Sequence, residues 1–366
     1  MTALPTRKLE AWRYTDLRGL AAISFASPPA LTSVSALPDL PFPRVVFLNG
    51  VKSQENSSDS VYIKAFTRDF PAHVQPMAQI NAQGAHDGLT MEIPAGEDAG
   101  EILLVSDAKG DEPFEFHLRH RLKLGENSTL TLVEINKGVG TYWQNSVFEI
   151  ELAAGARLRH FRLQQESAEA FHIASLYADI ATDASYEHFT LTLGAKLSRT
   201  EIEANLLGAH ALAHLNAAQL LGGRQHGDFT SIIRHKAPEC PSRQTVKSVL
   251  AGQAHGVFQG KIEVDQIAQK TDGYQMSQAL LLSPHAEMDI KPELQIFADD
   301  VKCSHGATIG ALDEEQVFYL RSRGIPEADA RQLLIRAFIE EALEPVTHDI
   351  ARTLFESALE SWWNRQ

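Results

Sequence analysis

Only two cysteines, Cys240 and Cys303, occur in 366 residues, too few for a disulfide framework and suited to a reducing compartment. Cations are also scarce: 33 Lys and Arg stand against 47 Asp and Glu, a net charge of −14. That balance argues against attraction to nucleic acid or to an anionic membrane surface. No apolar run approaches the roughly 18 residues that span a bilayer. Residues 1–8 turn charged at once, without an apolar signal segment, so a cytoplasmic protein is expected. A Gly-x-x-x-x-Gly-Lys-Ser/Thr loop is missing, which excludes a P-loop ATPase. What is present is ordinary for a folded chain, with 44% hydrophobic and 22% charged residues.

Three regions can be read along the chain: an N-terminal region over 1–88, a strand-rich core over 89–312 and a helical region over 313–366. The first opens with an expected amphipathic helix carrying Leu9, Trp12, Leu17 and Leu20 on one side. A proline-rich irregular stretch follows, then a short strand at Val45–Leu48 turning at Asn49 and Gly50, then further irregular chain. In the core, Phe114, Phe116 and Leu118 alternate with Glu115, His117 and Arg119, and Phe148, Ile150 and Leu152 alternate with Glu149 and Glu151. Phe189, Leu191 and Leu193, and later Ile262 and Val264, continue this two-residue period of half-buried strands.

A weak repeat underlies these strands. Ser128, Ala156 and Ala184 follow one another at 28 residues, each after a turn-forming group, and Ala211 arrives 27 later. A fixed period of this size marks stacked repeats. Helices able to cover a parallel sheet are missing between the strands, which disfavours βαβ topology. A parallel β-helix fits this pattern, with an antiparallel sandwich or jelly roll as the alternative. His160 and His188 share the 28-residue spacing and are read as a ladder on the surface of adjacent coils.

The C-terminal region has an N-cap at Asp313 with Gln316 three residues on, and a helix turning Val317, Leu320 and Phe318 inward until Gly324. Pro326 opens a second helix with Leu333, Leu334, Ala337, Phe338 and Leu343 as its apolar face. Pro345 stops it, and a last helix from about Thr347 ends in Trp362 and Trp363, aromatics that need something to pack against.

Chemistry concentrates at Cys303 and His305. On an extended segment, residues two apart project from the same face, and a thiolate beside an imidazole is half of an iron or zinc site. Lys302 and a protonated His305 would favour the thiolate. Two ligands leave a tetrahedral site incomplete, and a buried structural cysteine beside a solvent-facing histidine is the plainer reading of the spacing. Cys240, between Glu239 and Pro241, reads as structural. A Cys–His hydrolase dyad lacks an orienting third group. Asp299 and Asp300 would be the acid and base if this were a β-helix enzyme acting on a polysaccharide.

Residues 267–275 (IAQKTDGYQ), 280–283 (LLLS), 291–310 (KPELQIFADDVKCSHGATIG) and 318–325 (FYLRSRGI) resemble the SufB/SufD family of iron–sulfur cluster assembly subunits. His235, Ser242 and Lys247 fall where that family has a comparable pattern, and residues 6–15 (TRKLEAWRYT) look like the SufD-type opening. Residues 276–279 (MSQA) depart from the family's Asn-rich tendency there. The short chain and two cysteines favour the SufD type over SufB. The resemblance implies a right-handed parallel β-helix with a helical N-terminal region and a C-terminal helical domain. It implies a non-catalytic subunit that pairs with SufB and docks the ATPase SufC through residues such as Phe318, Tyr319, Arg321, Arg323 and Gly324. An iron–sulfur cluster would form transiently at the SufB interface on His305, with Cys303 beside it, and none would be held by the lone chain. ATP binding by SufC would move the two subunits and expose Cys303 and His305. A purely structural partner of SufB is the third reading, and self-pairing of the isolated chain is left open.

Overall fold

Each coil of the chain gives one strand to each of two sheets. In the computed structural model, which describes residues 3–363, the strands alternate between a ten-stranded and a nine-stranded sheet. Neighbours in a sheet come from successive coils and run parallel: Thr129 lies beside Arg157, Arg157 beside Ser185, and Ser185 beside Leu212. These are the repeats visible in the sequence, including the drift from 28 residues to 27. The fold is therefore a parallel β-helix, and the antiparallel sandwich is ruled out.

Turn chemistry keeps the coils in step. Asn127, Gly155, Asp183, His210, Glu239 and Lys270, one per coil, sit in the left-handed region with φ from +57° to +69°. Each donates its N–H to a carbonyl of the next coil, as Asn127 does to Ala154 at 2.9 Å. A residue with little to lose in that region suits the first turns. His210, Glu239 and Lys270 accept the strain and line up in charge instead, with Lys270 2.8 Å and His210 3.4 Å from the Glu239 carboxylate.

Before the last coil both faces of the sheets are largely buried, as parallel sheets require. Phe148, Leu158, Ile202, Phe229 and Phe258 fill the lumen. Phe148, Ile150 and Leu152 face this lumen, whereas Phe189, Leu191 and Leu193 face outward. Ile335, Ile339, Phe355 and Trp362 of the C-terminal helices cover that outer row. The terminal Trp362 thus packs on the protein's own body.

Across the other sheet, Trp12, Leu17, Leu20 and Met77 cover Trp143, Phe171, Ile173 and Leu197. The expected N-terminal helix is instead a 3-10 turn at Glu10–Trp12 and a single α turn at Arg18–Ala21. Leu9, assigned to its apolar side, is 46% exposed. The segment follows the sheet as a strap, held where the Arg199 guanidinium lies 4.1 Å from the Trp12 ring centroid. The strand Arg44–Leu48 joins the solenoid beside Asp98–Lys109. The stretch after it contains a helix, Pro76–Gly84, whose signal was proline at its first position.

The two ends of the solenoid differ. Short antiparallel pairs, Arg44–Leu48 with Val51–Lys52 and Ile63–Lys64 with Thr90–Ile93, close the N-terminal end. The other end stops at Glu287–Ile296 and Lys302–Gly310, each paired on one side only. Three helices follow: Glu314–Ser322, Glu327–Leu343 and Asp349–Trp363. Asp313 caps the first by accepting from the Glu315 N–H at 2.8 Å. Phe318, expected inside, is 70% exposed. Leu333 and Ala337 also face out; the second helix buries Leu343 as expected, together with Ala330, Ile335, Ile339 and Ala342. Among the described residues, no helix is long and apolar enough to cross a membrane.

Candidate functional site

Cys303 and His305 lie on the last strand, Lys302–Gly310, beside Gly273 and Gln275 of the coil below. Their spacing does put them on one face. That face is the luminal one, because Cys303 packs with Ile262, Val264, Leu294 and Val301 inside the last coils. No coil stacks above them, so Cys303 is half-buried and His305 exposed. The expectation that both wait buried until a motion exposes them is not met by His305.

The electrostatics also differ from expectation. Burial pushes the Cys303 thiol above its ordinary pKa, against a lowering hydrogen bond from the Gly273 backbone, and Asp272 raises it further. Lys302 points from the opposite face and does not favour a thiolate. The free chain therefore presents Cys303 as a protonated thiol at neutral pH.

Among the described residues, no group of three or more His, Cys, Asp or Glu side chains could hold a metal ion. Cys303 and His305 are two candidate donors on an open coil, and a tetrahedral site would need further donors. Asp299 and Asp300 are exposed in the preceding turn. The backbone of Asp300 is occupied there, its N–H bonded to the Gln269 side chain at 2.9 Å and its carbonyl to the Lys270 N–H.

Other residues singled out by the sequence sit elsewhere. Cys240 is fully buried and its Sγ donates to the Gly208 carbonyl at 3.3 Å, a structural thiol. His235 and Ser242 meet inside the lumen at 3.0 Å, and burial lowers the imidazole to a pKa of about 4. Lys247 is on the outer face, buried, paired with Glu341 and 4.5 Å from the Phe338 ring centroid, so it pins the second helix to the sheet.

His160 and His188 do sit side by side on adjacent coils, edge to face with ring centroids 5.1 Å apart. The ladder is not on the surface, however. Both rings are buried in the lumen, where His160 Nε2 and Arg162 Nε approach the Glu134 carboxylate at 2.8 and 2.7 Å. Luminal Glu134 and Arg162 had no signal in the sequence beyond their place in the alternation, since an outward-facing charge reads identically.

The docking candidates gather on the first C-terminal helix. Phe318 and Tyr319 are 70% and 55% exposed, and Arg323 lies 5.1 Å from the Tyr319 ring centroid. Arg321 and Gly324, the latter at φ +87°, are exposed at the helix end. Asp313, Glu314, Phe318, Tyr319 and Leu334 line an open cleft of about 980 Å³ beside them.

A family model described as "SUF system FeS cluster assembly, SufBD core domain" matches residues 106–338, which run through the solenoid coils and the open end to the first C-terminal helix and most of the second. The chain belongs to the SufBD family. It is 33% identical over 362 residues to the iron–sulfur cluster assembly protein SufD of Escherichia coli (strain K12), covering 94% of this chain and 85% of that protein. An iron–sulfur cluster assembly SufBD family protein of Synechocystis is also 33% identical, with 94% and 84% covered. Protein ABCI7, chloroplastic, of Arabidopsis thaliana is 35% identical over 72% of this chain and 58% of that protein. The SufD-type resemblance read from residues 6–15 and 267–325 holds over nearly the whole chain.

Proposed function

We infer that this SufBD-family chain is a non-catalytic scaffold subunit in iron–sulfur cluster assembly, working with SufB and the ATPase SufC. The observation that carries the reading is the position of Cys303 and His305: two luminal donors on a terminal coil whose strand edges are unpaired. Exposed edge strands are natural sites for pairing with another chain. Here Ile296, Phe297 and Ile309 add exposed apolar surface at that end. A SufB solenoid seated on the open end would bring its own donors over His305 and complete the site. The cluster is then cargo, assembled at the interface and passed on, with His305 as the principal donor from this side and Cys303 as its neighbour.

SufC docks on the exposed face of Glu314–Ser322, around Phe318, Tyr319, Arg321, Arg323 and Gly324. That helix is joined to Glu327–Leu343, which packs on the solenoid through Ile335, Ile339 and the Lys247–Glu341 pair. Movement of the ATPase is thereby transmitted to the coils. Since His305 is already exposed in the free chain, the motion acts by bringing partner donors to it. Two free thiols, one buried and one recessed, suit a reducing cytoplasm.

Substituting His305→Ala in the complete SufB–SufC–SufD-type assembly tests this. The side chain is exposed, so subunit assembly by gel filtration should be unchanged, while iron and sulfide bound per complex fall to background. Undiminished cluster yield would remove His305 from the site.

A further inference from the structure

We propose that Gly273 is a positioning residue for Cys303: its missing side chain lets the thiol sit recessed in the lumen instead of standing out on the open end. The consequence for cluster assembly rests on the reading of Cys303 as a half-site donor; the geometry does not. Gly273 is the register partner of Cys303 on the adjacent coil. A Cβ placed on Gly273 would lie 3.4 Å from Cys303 Sγ, 3.2 Å from Ile262 Cδ1 and 3.5 Å from Ile262 Cγ2. The backbone does not call for glycine here, since Gly273 is not among the residues with positive φ, and the strand Asp272–Leu281 runs through it regularly. Space is the remaining reason.

The surroundings say where the sulfur would go if that space were filled. On the luminal side Ile262, Val264 and Leu294 close it in. Below it is Gly273, and above it there is no further coil. A side chain at 273 for which Ile262 does not make room therefore pushes Sγ outward, towards solvent in the free chain and towards a partner coil in the assembly. Alanine fits only if Ile262 or the sulfur gives by a few tenths of an ångström. Valine adds two methyl groups that no such adjustment can absorb. Donor positions in a metal site tolerate displacements of only about 0.5 Å, so the recess fixes the depth at which Cys303 meets its partners.

The test is alkylation of Cys303 in the full-length chain at a single pH, quantified on the Cys303 peptide by mass spectrometry. Iodoacetamide serves as the small probe and a polyethylene glycol maleimide as the bulky one. In the unaltered protein the recess should slow the bulky reagent far more than the small one. Gly273→Val should raise the bulky-to-small rate ratio about tenfold and Gly273→Ala about twofold, because thiol reactivity follows access. Gly310→Ala, at a position where a Cβ meets nothing within 4 Å, should leave it unchanged. Ile262→Val deletes Cδ1, the atom nearest the new methyl, so Gly273→Ala combined with Ile262→Val should return the ratio to its original value. If Gly273→Val does not fold, the alanine variant and its rescue decide the matter. An unchanged ratio in Gly273→Ala, or a raised ratio that Ile262→Val does not restore, overturns the assignment. Full cluster yield in a Cys303→Ala complex would defeat the donor reading while leaving the alkylation result standing.

Discussion

The strap across the nine-stranded sheet is tied down by one buried charge cluster, and breaking it should cost a predictable amount. Arg199 is fully buried and donates to Asp228 and, at 3.1 Å, to Glu201. The Asp228 carboxylate also accepts from Thr15 of the strap and from Thr230 at 2.8 Å. Substituting Asp228→Asn removes the charge that three donors share. Breaking a buried ion pair costs about 3–5 kcal/mol when the remaining charge is left alone. Glu201 stays within reach of Arg199, so the loss should sit near the lower limit, about 3 kcal/mol. With a urea slope of about 3 kcal/mol/M, the unfolding midpoint falls by about 1 M. The strap should loosen before the solenoid does, since Thr15 then meets a neutral amide in place of the carboxylate and keeps only the His226 ring at 2.9 Å as before, and trypsin should cut faster at the exposed Arg7, Lys8 and Arg13. Replacing all three members with apolar residues, Arg199→Met with Glu201→Met and Asp228→Leu, should recover stability to within about 1 kcal/mol, because no charge of the cluster is then stranded. A single variant that loses less than about 1 kcal/mol, or a triple variant no better than the single, would refute the reasoning.

Acid should weaken the fold through its buried histidines. Burial lowers His120, His226 and His235 from 6.5 to about 4. Below pH 6.5 the unfolded chain takes up protons that these folded imidazoles refuse, so their contribution is complete above that pH and lost as it falls towards 4. Each should remove about 1.4 kcal/mol per pH unit in that window. His235→Asn should flatten the fall measured by urea unfolding at stepped pH, and an unchanged slope would show that His235 does not titrate this way. For SufC docking, paired Phe318→Asp and Tyr319→Asp substitutions should abolish binding in a pull-down while leaving the unfolding midpoint unmoved, because both side chains are exposed. Retained binding would move the docking site off this helix. Truncation at residue 313 is a poorer test, since it also strips Ile339, Phe355 and Trp362 from the outer sheet face.

How much of this was legible in the chain follows from the range of the interactions involved. The solenoid was legible because its signals are local: turn groups at Asn127, Gly155 and Asp183, two-residue alternation, and a 28-residue step that reappears as the register Thr129–Arg157–Ser185. The pairing of Cys303 with His305 on one face followed from strand geometry alone. Which face it was did not. Alternation cannot tell lumen from exterior, so Phe148 and Phe189 look alike in sequence and yet face opposite ways. The same ambiguity hid the burial of His160 and His188. The N-terminal strap escaped because Trp12 and Thr15 are placed by Arg199 and Asp228, about two hundred residues away, and not by helical periodicity. Residue types and spacing alone determined that two candidate donors, Cys303 and His305, share one face of a strand in a repeating β chain. Only the tertiary structure decided that this pair faces inward at the open end, with Cys303 recessed over Gly273 and His305 exposed, because exposure depends on where the stacking of coils stops.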